Sequence, residues 1–189
     1  MNIYETDQIN QSKNETEQDI KELALRYLDK YQPSKKDLKL YLFRKIHANP
    51  FQLIPKDEIM TKIQSVVDDL ENLNVLNDEL YSELKSKNFL KRGYSINKIR
   101  MHLINKGIDD KLLKETIHKI TKDDNNPDFY SAIRICKKRR IGPYRPEANR
   151  TIFYKKDIGV LARNGFSYDL SKDILSLDKK ELKVFEKKL

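Results

Sequence analysis

From Ile20 to Phe185 apolar residues recur every three to four positions, and each run is bounded by a helix cap or a helix breaker. A period near 3.6 with such punctuation builds short amphipathic helices and leaves no stretch with the two-residue alternation of a strand. The first stripe is Ile20, Leu23, Ala24, Tyr27, Leu28 and Tyr31, and Pro33 stops it. Ser34 then offers an N-cap oxygen, with Asp37 three residues on, ahead of Leu38, Tyr41, Leu42 and Ile46. A loop is expected over 47–54. Pro55 suits a first helical turn, with Asp57 and Glu58 complementing the helix dipole before Ile59, Ile63, Val66, Val67, Leu70 and Leu73.

The pattern then starts again. Asn77 or Asp78 caps a helix carrying Leu80, Tyr81, Leu84 and Phe89, and Gly93 ends it. Ser95 caps the next, with Ile96, Ile99 and Leu103, and Gly107 sits where a left-handed residue closes it. Asp109 or Asp110 caps Leu113, Thr116, Ile117 and Ile120. After a polar linker from Lys122 to Pro127, a third round begins with Phe129, Ala132, Ile133 and Cys136. It continues with Ile158, Leu161 and Ala162, stopped by Gly165, then Ser167 opening Leu170, Ile174 and Leu175. Asp178 and Glu181 form a capping-box start for a last helix with Leu182, Phe185 and Leu189.

A register shift of 58 lays Lys98 on Lys156, Leu103 on Leu161, Gly107 on Gly165 and Ile108 on Phe166. A shift of 61 lays Ser34 on Ser95, Leu38 on Ile99 and Leu42 on Leu103. The expected architecture is therefore all-α, with three tandem three-helix units, each similar to a helix-turn-helix, in an elongated and curved arrangement. Their bounds are a mobile polar tail over 1–17, repeats over 18–74, 75–122 and 123–177, and a C-terminal helix over 178–189. Such a chain binds with a surface rather than a deep pocket.

Charge is distributed unevenly. Residues 1–128 hold 22 Lys and Arg against 22 Asp and Glu, whereas residues 129–163 hold 10 against 2. The protein is thus a neutral body with one basic block. Arg134, Lys137 and Lys138, with Arg139 and Arg140, belong to a helix that Gly142 and Pro143 break. Arg145 and Arg150 are expected in a loop, interleaved with Tyr144, Phe153 and Tyr154. Lys155 and Lys156 reopen helix, and Arg163 closes the block. Cations among rings suit a polyanion or a strongly acidic protein surface, while a solvated loop and packing of the rings are the blander alternatives.

Other chemistries find no residues. Neither GxxxxGK[ST] nor GxGxxG occurs, and His47, His102 and His118 have no ligand-like spacing to Cys136. Asp68–Asp69 and Asp109–Asp110 are adjacent in sequence, which points their carboxylates apart on a helix or places them at a cap. No enzyme and no cofactor is expected. A single cysteine excludes an internal disulfide, and no apolar run approaches a membrane span of about 20 residues. The expectation is a soluble cytoplasmic monomer.

The stretch NVLNDELYSELKSKNFLKRGYSINKIRMHLINKGIDD (74–110) resembles the middle repeat of the RecX family, regulators of the RecA recombinase. The matching pieces are Asn77-Asp78-Glu79, Arg92-Gly93, Ser95, Ile99, Leu103 and Lys106-Gly107-Ile108-Asp109. RRIGPYR (139–145) and KKDIGVLARNGFSYDLSKDIL (155–175) look like the third repeat in its alphaproteobacterial form, and Ala24-Leu25 through Ser34 and Leu38 fit the first. IHANPFQLIPKDEI (46–59) departs by replacing the Lys-Gly exit. The resemblance implies a non-enzymatic protein that binds RecA filaments on DNA, lying in their groove and repressing ATP hydrolysis, strand exchange or filament growth. The alternative is an autonomous DNA- or RNA-binding protein reading bases with residues such as Asn97, Arg100 and Asn105.

Overall fold

The computed structural model describes residues 17–48, 55–122 and 126–187, all in helices and short connections. In chain order these are α1 (17–28), α2 (Lys35–His47), α3 (Lys56–Asn72), α4 (Asp78–Lys91), α5 (Ile96–Asn105) and α6 (Asp110–Thr121). Then come α7 (Pro127–Arg139), a single 3-10 turn (Gly142–Tyr144), α8 (Glu147–Arg163), α9 (Tyr168–Ser176) and α10 (Lys179–Glu186). The fold class is all-α, as expected. The expected tail, most of the 47–54 loop, the centre of the 122–127 linker and Leu189 lie outside the described residues. No described helix is long and apolar enough to cross a membrane.

Two compact units meet between Tyr81 and Ser82. In the first, α1, α2 and α3 surround a core of Ile20, Ala24, Leu38, Leu42, Ile63, Val67 and Leu70. Removing each of the Ile, Leu and Val side chains from water contributes about 1.5–3 kcal/mol. Tyr27 stacks on Tyr41 with ring centroids 3.9 Å apart. Tyr31, expected on the α1 stripe, falls beyond the helix end and is exposed.

In the second unit, α7, the 3-10 turn, α8 and α9 enclose Ala132, Ile133, Cys136, Leu161 and Ile174, with Leu182 of α10 against them. Burial pushes the Cys136 thiol up to about 12, with the Asp157 charge adding to it, so this residue is core and not a nucleophile. Ile99 and Leu103 of α5 and Leu113 and Ile117 of α6 are buried where those two helices pair.

Helix starts follow the sequence closely. Ser34, Ser95, Asp109 and Ser167 each accept the backbone N–H three residues on, and Asp178 with Glu181 forms a complete capping box. At α4 the cap is Asn77, whose Oδ1 accepts from the Leu80 N–H. Asp78 instead reaches back to the Lys35 N–H, 2.9 Å away at the start of α2. Asp128 of α7 does the same for the Ile96 N–H of α5 at 2.7 Å. The shift of 61 lays Ser34 on Ser95 and Lys35 on Ile96, and the two helix starts are built alike although Asp78 and Asp128 do not fall in that register. In each, a serine takes one orphan amide and an aspartate from a later helix takes another.

The C-terminal stops also hold: Gly93, Gly107 and Gly165 all have φ between 79° and 89°. Gly165 is under a second constraint, because a Cβ there would land on Ser95 Oγ and within 3.0 Å of Lys98 Cβ. This close approach lets the Ser95 N–H donate to Asn164 O at 3.1 Å and Lys98 Nζ to Arg163 O at 2.8 Å.

Two sequence expectations fail. In α4, Leu80 and Leu84 are exposed, and the buried positions are Tyr81, Ser82 and Ser86. Two of these three buried residues are serines, and past the helix end Gly93 comes so near α7 that a Cβ would sit 2.8 Å from Ser131 O. The hydroxyls of Ser82, Ser86 and Ser131 are buried without hydrogen-bond partners. In addition, α8 begins at Glu147 rather than at Lys155, so Arg150, Phe153 and Tyr154 are helical and not in a loop.

Burial raises the Asp128 carboxyl above its ordinary 3.8, opposed by the Ile96 N–H. Between 3.8 and its folded value the native state holds more protons than the unfolded chain. The proton-linked part of its stability is therefore complete below pH 3.8 and lost as pH rises through the folded value, leaving the hydrogen bond from the Ile96 N–H as its contribution at neutral pH. At pH 7, Asp128→Ala is expected to lower stability by about 1 kcal/mol through the lost cap, while Asp128→Asn, which keeps the acceptor oxygen, costs less. Denaturant melts of the two variants check the order.

Candidate functional site

The basic block is shaped by how α7 ends. Its last carbonyls are met by the Ile141 N–H on Cys136 O (3.0 Å) and the Arg140 N–H on Lys137 O (3.3 Å), a stop that requires a left-handed residue. Arg140 occupies that position with φ 52°, where glycine is favoured. The helix halts there, and Lys137, Lys138, Arg139 and Arg140 are all exposed at its end.

Beyond it the chain turns around Asp157, which is buried in α8. The Gly142 N–H donates to Asp157 Oδ2 at 2.9 Å, and the Arg145 guanidinium donates to both carboxylate oxygens at 2.7 and 2.8 Å. A Cβ on Gly142, at φ 56°, would collide with the Leu175 side chain. Arg145 also lies over the Phe153 ring, 4.5 Å from its centroid. The Arg150 guanidinium donates to Leu175 O (2.6 Å) and Leu177 O (2.8 Å), covering the end of α9. Tyr144 donates its hydroxyl to Glu186 at 2.9 Å, and burial, then that carboxylate, push its pKa up. Three residues of the expected contact surface, Tyr144, Arg145 and Arg150, thus have partners inside the fold.

The remaining cations divide between two places. Lys155, Lys156 and Arg163 are exposed along α8. Lys155 lines a cavity of about 600 Å³ with Arg150 and Tyr154, and Lys156 lies 5.8 Å from the Phe153 centroid. Arg134, Lys137 and Lys138 instead line a groove of about 950 Å³ that they share with Lys87 and Lys91 of α4 and Lys119 of α6. Leu90, Ile120 and Pro127 also line it, and among the described residues the carboxylate on the lining is Glu186 of α10. Its Oε1 pairs with Lys137 Nζ at 3.0 Å, and the Lys137 and then the Tyr144 hydrogen bonds hold Glu186 below the ordinary 4.5. That pair is intact at neutral pH and is lost as pH falls through the depressed value.

Lys87, Lys91 and Lys119 come from the part of the chain whose charges cancel, so a count along the sequence hides them. The available signal is the i, i+4 spacing of Lys87 and Lys91, which places them on one face of α4.

Asp157→Ala removes the partner of a buried guanidinium and of the Gly142 amide, and is expected to cost about 3 kcal/mol. Arg140→Gly relieves the left-handed conformation and is expected to raise stability by about 1 kcal/mol. Thermal melts with far-ultraviolet dichroism read both.

No family model matches the chain. The regulatory protein RecX of Myxococcus xanthus is 28% identical over 159 residues, which are 82% of this chain and 83% of that one. The Agrobacterium fabrum RecX is 25% identical over 161 residues, covering 84% and 82%. In Clostridium perfringens strain SM101 the RecX match spans about half of the relative's length, 51%, at 29% identity. A crystal structure of a regulatory protein RecX superposes with a TM-score of 0.65 over 92% of this chain and 78% of that one, at 18% identity, and so shares the fold. The chain is thus similar to RecX regulatory proteins along most of its length and shares the fold of a RecX structure.

Proposed function

We propose that the protein binds RecA filaments on DNA as a monomer and restrains them, lowering ATP hydrolysis, strand exchange or filament extension. The observation that carries this reading is the match to a RecX regulatory protein over 82% of the chain. The local concentration of cations agrees with it. A RecA filament on DNA is polyanionic through its phosphates, and a neutral body with one basic face approaches it in a preferred orientation. Contact with DNA is then secondary to contact with RecA, and the exposed end of α7 is the part of the basic block best placed to make either.

The deciding experiment is ATP hydrolysis by the cognate RecA on single-stranded DNA, titrated with this protein at substoichiometric ratios. A DNA-binding control without RecA runs at the same salt. Inhibition is expected well below saturation of the DNA. Reversing charge at Lys137, Lys138, Arg139 and Arg140 together is expected to weaken it with helicity unchanged. Absence of inhibition, with tight binding in the RecA-free control, would favour the autonomous nucleic-acid-binding reading.

A further inference from the structure

Among the described residues five helices end in the same way. Past α3, α4, α5, α7 and α8 one residue donates its N–H to the carbonyl three positions back, and the next donates to the carbonyl five positions back. The first residue of each pair is Asn74, Gly93, Gly107, Arg140 or Gly165, all with φ between 52° and 89°. Glycine adopts this left-handed conformation freely and asparagine tolerates it, whereas a longer side chain crowds its Cβ against the carbonyl oxygen that follows. Arg140 is the exception in the set. Its N–H also stands farther from its acceptor, 3.3 Å, than the 2.8 or 2.9 Å at the other four stops.

Nothing within the fold accounts for the arginine. Its side chain is exposed and makes no hydrogen bond, ion pair or ring contact with another described residue. The apolar contact that completes such a stop comes from the next residue, Ile141, which is buried. The helix dipole is already met by Lys137, Lys138 and Arg139 in the last turn, so a fourth cation adds repulsion. Arg145 and Arg150 differ in this respect, being held by Asp157 and by the carbonyls of Leu175 and Leu177. A strained residue kept without a partner inside the protein points to one outside it.

The strain also narrows the ligand. Duplex DNA offers a charge about every 1.7 Å along its axis and accepts a cation from almost any position. Lys138 and Arg139, exposed on unstrained helix, serve such a target, and glycine at 140 would lose it little. A carboxylate on a folded protein is one charge at one place. Left-handed φ and ψ send the Arg140 Cα–Cβ bond in a direction that no residue of a continuing helix takes, and a fixed direction is of use only to a fixed target.

We propose that Arg140 is a contact residue for a carboxylate on the folded surface of a protein partner, and that its left-handed backbone is strain retained for that contact. The proposal rests on the filament reading, which makes RecA the partner, and names one residue and the group it meets. Its signature is a trade: loss of the side chain stabilises the chain and weakens binding, which a merely structural residue does not do.

The test titrates the fluorescently labelled full chain with cognate RecA filaments on single-stranded DNA, and with the same DNA free of RecA, at one low salt concentration. Arg140→Gly is expected to melt about 2–4 °C higher and to bind filaments about tenfold more weakly. Its loss on RecA-free DNA is expected to be no larger than that of Lys138→Gln. Arg140→Lys, which keeps both charge and strain, is expected to melt as wild type does and to bind between the two. Filament binding by Arg140→Gly equal to wild type would overturn the contact. Equal fold losses on filaments and on RecA-free DNA would assign Arg140 to phosphate and overturn the ligand group. A lower melting temperature for Arg140→Gly would overturn the retained strain. Wild-type chain that binds no filament would overturn the filament reading and the RecA contact with it, an outcome distinct from wild type and Arg140→Gly binding equally well.

Discussion

The buried carboxylate of Asp157 determines how the second unit presents its charge. One side chain accepts from the Gly142 amide and from both arms of Arg145, and so closes the turn that joins α7 to α8. A buried aspartate without these donors would be prohibitive, and a turn without the aspartate would leave a buried amide orphaned. Because the turn is held from within, α7 ends abruptly, and of its exposed final residues Lys137 is paired with Glu186. Arg145 serves that arrangement with a charge that, on sequence grounds alone, looks available to a partner.

The same economy explains why the exposed cations form a local surface in a chain with so many acids. Four carboxylates are committed to backbone amides: Asp78 and Asp128 bridge to the starts of α2 and α5, and Asp109 and Asp178 cap their own helices. Acids held at helix starts compensate the dipole, while on the helix faces Lys35, Lys62 and Lys87 pair with Glu71, Glu58 and Glu83. A neutral count over residues 1–128 thus coexists with a cationic groove wall contributed by Lys87, Lys91 and Lys119.

Much of the fold was legible because its signals are local. Ser34, Ser95, Asp109, Ser167 and Asp178 cap as read, since the cap and the amide it meets lie within three residues of each other. The stripe of α7 was legible for the same reason. The face of α4 was not, because Ser82 and Ser86 pack by being small, and apolar periodicity gives no credit for that. The start of α8 was missed although Pro146 followed by Glu147 is itself a helix-start signal; the mixture of cations and rings suggested a loop instead. The site was the least legible part. Whether Arg145 and Arg150 point outward or into the protein depends on Asp157 and on the carbonyls of Leu175 and Leu177, partners separated by up to 27 residues. No spacing rule along one chain reports such pairings.

Cys136, the chain's single cysteine, is fully buried among Ile133, Leu161 and Ile174 with its thiol at about 12. A soluble thiol reagent therefore reaches it only when that bundle opens, and the rate of labelling measures how often opening occurs. The protein carries an intrinsic reporter of its own breathing at the core beneath the basic helix. Cysteines introduced elsewhere for spectroscopic labels would meet almost no competing background.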